Sequence, residues 1–338
     1  MNTSFKKDLS KLNKEVERLS KPQYCLLCGK KSTSFCNSHI VPQFVLKNIT
    51  DNGKISYGQS LHKKSEDIIQ TTKGLNNAFT FKLICNKCDK EKFATYETPE
   101  CLLNFNELDY TMKNNILTEI SIKSHLAYIS TKVKLDNLYS IVYNEQMNYL
   151  KAIRQQTANQ IDIKEHFDYL YSLSKNYKKT RFPFEIVYET TLDYKVNIAT
   201  QSLISYIYDL NGIKRYNPSD LSSEIITRYF YLCIFPFESK TKILFFVEKT
   251  NIYMVKDIIN QFNQLNEAEK LHFLFVSLII HSEYFFINPK LKDKLLRDKK
   301  ITKLYRQTDS IKSFNSYKEI QNFRNYTNYL LKENNVDI

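Results

Sequence analysis

Glycine is nearly absent from most of this chain: there are five among 338 residues, and Gly212 alone lies beyond Gly74. A backbone cradle for phosphates needs glycine, and no Gly-x-x-x-x-Gly-Lys loop occurs, so residues 100–338 carry no nucleotide pocket of that kind. Long apolar runs are missing as well. Residues 1–21 are charged and contain no signal-type core. The most apolar stretch, Leu271 to Ile287, is broken by His272, His281 and Glu283, well short of a spanning helix. There is no internal repeat and no low-complexity linker. Cysteine is sparse, and four of its seven copies fall in two Cys-x2-Cys pairs, a spacing that suits a metal rather than disulfides. Together these features lead us to expect a cytoplasmic protein in a reducing interior, with no membrane association.

What is present sets further bounds. The length allows about two domains, and 42% hydrophobic residues suffice for real cores. The net charge of +13 favours polyanionic partners such as nucleic acid. Lys, Asn, Ile and Tyr are abundant throughout, so part of this basicity reflects overall composition.

The most informative stretch runs from Tyr24 to Glu97. It holds Cys25-Leu-Leu-Cys28-Gly29-Lys30, then Ser38-His39-Ile40-Val41-Pro42-Gln43-Phe44, then Ile84-Cys85-Asn-Lys-Cys88-Asp89. Each Cys-x2-Cys turn points two sulfurs the same way, so Cys25, Cys28, Cys85 and Cys88 can complete a tetrahedron around one structural zinc ion. Cys36 and His39 also form a Cys-x2-His pair, so a compact set of Cys25, Cys28, Cys36 and His39 remains an alternative. Gly29, Gly53, Gly58 and Gly74 concentrate tight turns in this region. Cys101 and Cys233 read as small core residues.

The order Cys-x2-Cys, Ser-His-Ile-x-Pro, Leu-Ile-Cys-x2-Cys-Asp resembles the ββα-metal fold of HNH endonucleases. In particular it is similar to a bacterial HNH-like group with an SHIxPxF motif, a Gly-Leu-x-x-Ala-x-x-Phe stretch (Gly74 to Phe81) and a CxxCDxxxFxxYE motif (Cys85 to Glu97). The resemblance covers about the first hundred residues. It implies His39 as the general base activating water, Asp89 as ligand of a catalytic Mg²⁺ or Mn²⁺, DNA as substrate, and a place in bacterial defence or mobile elements. Ser38 stands where many such nucleases carry a second metal-binding side chain, Asp89 replaces the last histidine, and Asn76 and Asn77 are the nearest candidates for the asparagine. The residue types suit the chemistry in their own right. An imidazole near its ordinary pKa of about 6.5 can take a proton from water, and a carboxylate is a hard oxygen ligand.

Elsewhere, Leu9, Leu12, Val16 and Leu19 predict an amphipathic helix over residues 5–20. Asp89 is expected at the start of a helix that Pro99 stops. A helical stripe through Leu108, Met112, Ile116, Ile120, Leu126, Ile129 and Val133 precedes helices near 137–157 and 163–177, within which His125 and His166 read as structural. Strands are expected at Phe184–Thr191, Tyr194–Ala199, Leu203–Leu210, Arg228–Phe235 and Lys242–Val247, and helices at 251–263 and 266–284, where Glu283 with Asn288-Pro289 reads as a helix end and turn. Lys47, Lys54, Lys63, Lys64 and Lys73, with Tyr57 and His62, decorate the insertion between the knuckles. Tyr169, Tyr171 and Tyr177 near Lys175, Lys178, Lys179 and Arg181 could stack on bases. A basic tail holds Lys290, Lys292, Lys294, Arg297, Lys299, Lys300, Lys303 and Arg306.

The expected fold class is α+β: an N-terminal helix over 1–21, a zinc-stabilised HNH-like ββα-metal module over 22–99, and a helical and antiparallel-sheet domain over 100–338. The expected function is metal-dependent hydrolysis of DNA phosphodiesters by His39 and Asp89. The alternative is a non-catalytic zinc module that recognises nucleic acid or protein. The second domain is a candidate for a protein partner or for homo-oligomer contacts.

Overall fold

A computed structural model of the chain describes residues 3–32, 34–59, 72–143, 149–176, 183–215, 228–282, 284–307 and 317–335. His62, Lys63, Lys64, Tyr177, Lys178, Lys179, Arg181 and Glu283 lie outside them. In chain order the elements are α1 (Thr3–Leu19), β1 (Ser38–His39), α2 (Gln43–Lys47), β2 (Lys54–Gln59), β3 (Lys73–Gly74), β4 (Thr80–Phe81), α3 (Asn86–Lys92), α4 (Pro99–Leu103), α5 (Tyr110–Tyr143) and α6 (Tyr149–Asn176). They continue with β5 (Phe184–Leu192), β6 (Ile198–Ile204), β7 (Phe230–Pro236), β8 (Thr241–Glu248), α7 (Ile252–Asn263), α8 (Glu267–His281), β9 (Tyr284–Ile287), α9 (Pro289–Arg297) and α10 (Lys299–Gln307). The fold is mixed helix and antiparallel sheet, α+β, with a four-cysteine cluster near the N-terminus.

Contacts divide the chain discontinuously into two units. One unit comprises 1–40, 79–96 and 115–179, and the other 41–78, 97–114 and 180–338. In the first, α1 buries Val16, while Asn137 on α5 donates to Ser20 just past its end at 2.9 Å. The expected stripe on α5 is wider than one face. Ile116 to Ala127 are all buried, as a helix enclosed on every side requires. Three of its buried hydroxyls are satisfied along the helix, Ser121, Ser124 and Thr131 donating to carbonyls four residues earlier.

The histidines on these helices meet. His125 Nδ1 and His166 Nδ1 lie 2.6 Å apart, fully buried, so one ring donates and the other accepts. His125 stacks on Tyr169 and His166 lies against Tyr128. Lys132 on α5 pairs with Asp162 on α6 at 2.7 Å. Burial pushes His125 down to about 3, and burial, then the charges of His125 and Lys132, hold His166 well below its ordinary value.

The second unit is built on a seven-stranded antiparallel sheet in the order β3-β2-β9-β6-β7-β8-β5. Every residue of β6, β7 and β8 is buried. Phe230, Leu232, Ile243 and Phe245 pack with Phe262, Phe273 and Leu274 of α7 and α8. Their strand neighbours Tyr231, Cys233, Leu244 and Phe246 point to the other face and are buried too. Two expected strands, 194–199 and 203–210, are in fact one, Ile198–Ile204. The sheet also recruits β2 and β9, neither of which was expected. Gly58 on β2 pairs with Phe285 on β9, and a Cβ there would come within 2.2 Å of the Phe285 ring, so this position has no room for a side chain.

Helix ends account for the other differences. α8 begins with a capping box, Asn266 and Glu269. It stops before Ser282, whose extended backbone turns the aromatic run into β9. Asn288-Pro289 opens α9 rather than a turn, with Asn288 capping Lys290 N and proline at the first helical position. Likewise Pro99 starts α4, while α3 has already ended at Lys92. Among the described residues no helix is long and apolar enough to cross a membrane.

The histidine pair makes the chain acid-sensitive. Unfolded histidine takes up a proton near pH 6.5 and these folded ones only far lower. The unfolded state therefore binds more protons in that window, and stability present above about pH 6.5 is lost as pH falls. Denaturant unfolding between pH 7 and 5 should show a loss that is shallower, by about 1 kcal/mol per pH unit for each histidine removed, in the double variant His125→Leu/His166→Leu. Equal slopes would contradict the assignment.

Candidate metal centre

The first knuckle is a small hairpin. Tyr24 bridges Lys31, Cys25 N donates to Lys30 O at 2.9 Å and Gly29 N to Cys25 O at 2.8 Å. Gly29 closes the turn at φ +66°, in the left-handed region where glycine is unstrained. The second knuckle sits where α3 begins: Cys85 is the residue before the helix, Cys88 falls in its first turn, and Asp89 N donates to Cys85 O. Two backbone bonds join the knuckles, Leu26 N to Leu83 O at 3.1 Å and Cys36 N to Ile84 O at 2.9 Å.

These bonds bring four sulfurs together. The Sγ atoms of Cys25, Cys28, Cys85 and Cys88 all lie within 4.8 Å of one another, with Cys28 and Cys85 at 4.0 Å. A zinc–sulfur distance of about 2.3 Å in a tetrahedron separates sulfurs by roughly 3.8 Å, so the donor set fits and could hold a metal ion such as zinc. Cys85 N donates to Cys25 Sγ at 3.3 Å, a further bond between the knuckles. Burial first, then the neighbouring thiols of Cys85, Cys28 and Cys25, push the Cys88 thiol up. Thiols crowded in this way resist ionising together, and a divalent cation among them reverses that balance.

The rival set of Cys25, Cys28, Cys36 and His39 is not the one assembled. Cys36 donates instead to Asp89 Oδ2 at 3.2 Å. Ser38, buried on β1, donates to Asp89 Oδ1 at 2.6 Å. The third group at this carboxylate is Lys123 of α5, whose ammonium lies 3.9 Å from Oδ1 with its side chain 2% exposed. Lys123 also faces the rings of Phe93 at 4.6 Å and Tyr96 at 5.5 Å. One turn earlier on α5, Glu119 accepts from Thr95 N and Tyr96 N, fixing the bend that follows α3.

His39 pairs with Thr80 across the two-stranded sheet of β1 and β4, and Ser38 with Phe81. Successive strand residues point to opposite faces. Ser38 is buried and directed to Asp89, and His39 beside it is half-buried. Asn76 accepts from Gln43 within the second unit.

Sequence reasoning missed Lys123 and Glu119. The one available signal was a lysine inside the apolar run of α5, and no spacing ties it to Asp89. No protein-family model matches the chain, and no curated protein or solved structure matches it either.

The ligand choice is open to direct analysis. Metal content should fall from one ion per chain to none in Cys85→Ser and Cys88→Ser and stay at one in Cys36→Ser. Structural zinc contributes roughly 10–16 kcal/mol of apparent binding energy, so chelation should unfold the first unit, read as lost helical circular dichroism. Full retention of metal by Cys85→Ser would overturn the assignment.

Proposed function

We propose that the chain carries a zinc-organised, HNH-like ββα module and binds nucleic acid without cutting it. The observation that carries the non-catalytic half is the environment of Asp89. A catalytic Mg²⁺ or Mn²⁺ asks for several oxygen ligands around a free carboxylate. Here the carboxylate accepts from Ser38 and Cys36 and faces a buried ammonium, so these residues do not fit such an ion. The order β1, β4, α3, with one cysteine pair in a hairpin before β1 and the other at the start of α3, supports kinship with the HNH scaffold. Nucleic acid as the partner is supported by the net charge of +13.

A second reading, DNA phosphodiester hydrolysis, is favoured by one observation. His39 is only half-buried on β1, where the HNH resemblance places the general base.

One experiment separates the two. Anisotropy with labelled duplex and single-stranded DNA and RNA should show binding that weakens steeply with salt. Plasmid incubated with Mg²⁺ or Mn²⁺ should stay intact. Metal-dependent cutting lost in a His39→Ala variant that keeps its zinc would establish hydrolysis instead, and no binding at low salt would remove nucleic acid as the partner.

A further inference from the structure

Residues 289–307, spanning α9 and α10, carry eight basic and two acidic residues, a net +6 out of the chain's +13. The fold sorts this segment sharply. Leu291 and Leu295 of α9, and Ile301, Leu304 and Tyr305 of α10, are buried in the core of the second unit. Lys290, Lys294, Arg297, Lys299, Lys300 and Lys303 are exposed.

Little in the described structure compensates this charge. Lys294 and Lys300 donate to the carbonyls of Asn334 and Asn325, which accept a hydrogen bond and bring no charge. Asp298 is turned to other work, capping α10 through Lys300 N and Ile301 N and accepting from Tyr329. Among the described residues none of the six cations has an ion pair. Along α9 the cations at 290, 294 and 297 follow one helical stripe, rising about 6 and then 4.5 Å, and α10 continues the run.

We infer that the exposed face of α9 and α10 is the surface that tracks a nucleic-acid backbone. This deepens the nucleic-acid binding proposed above and rests on it. A row of cations spaced at a few ångströms suits a polymer carrying one charge per about 1.7 Å of duplex axis. A bilayer is the poorer match, because a helix lying in a membrane surface inserts an apolar face. Both helices have committed theirs to the core.

The test neutralises the four cations whose side chains brace nothing in the described structure: Lys290→Gln, Arg297→Gln, Lys299→Gln and Lys303→Gln together. The control carries the same change in charge at exposed positions elsewhere, Lys11→Gln, Lys14→Gln, Lys240→Gln and Lys256→Gln. Binding of the full-length, metal-loaded protein to a labelled DNA duplex is titrated with salt. Phosphatidylserine vesicles form a parallel arm. The four-site variant should lower the slope of log Kobs against log salt by about 3–4, at roughly 0.9 per phosphate contact, and the control should leave it within about 1. If wild type binds DNA and the four-site variant matches it, or the control falls equally, the inference fails while nucleic-acid binding stands. Loss confined to the vesicle arm overturns the inference in favour of a membrane. Wild type that does not bind DNA at all sinks both.

Discussion

The first unit depends on four thiols meeting at one point from positions 57 residues apart in the chain. Thiolates gathered so closely repel, and thiols gathered so closely gain little, so the cluster makes physical sense around a cation. The backbone has prepared for it. Leu26 to Leu83 and Cys36 to Ile84 are ordinary backbone hydrogen bonds that hold the two knuckles in register. An ion would then lock an arrangement that the hairpin and the start of α3 already favour. With both ends fixed, the intervening chain is free to leave. Residues 41–78 do so, and β2 becomes a strand of the second unit's sheet.

Beside the cluster lies a second electrostatic arrangement, of a different kind. Lys123 is an almost fully buried ammonium held against Asp89 and two aromatic rings. Removing one partner of such a pair typically costs 3–5 kcal/mol, because the other charge is stranded. Asp89 thus joins β1, α3 and α5 through Ser38, Cys36 and Lys123. Its position next to Cys88 couples this network to the cysteine cluster by one peptide bond. A carboxylate so placed holds elements together, and the same bonds leave it little capacity for a hard divalent ion.

Much of this was legible in the residues. The Cys-x2-Cys pairs identified the four sulfurs that converge, since such spacing has few other uses. β5, β7 and β8 were visible as aromatic and β-branched runs. β2 and β9 were not, because one lies in a polar, glycine-containing insertion and the other abuts a longer apolar helix without a break in character. The discontinuous units were hidden for a related reason: a strand's partners are set by long-range pairing, which local pattern does not encode. His125 and His166 each look like an isolated helical histidine, and only the packing of α5 on α6 makes them a pair.

X-ray absorption at the zinc edge of the purified protein tests the central claim most directly. Four sulfur scatterers at about 2.3 Å, with no nitrogen or oxygen in the coordination sphere, is the result this structure predicts. Three or fewer sulfurs together with an imidazole nitrogen near 2.0 Å would contradict it, because His39 would then be a ligand and the two knuckles would not share one ion.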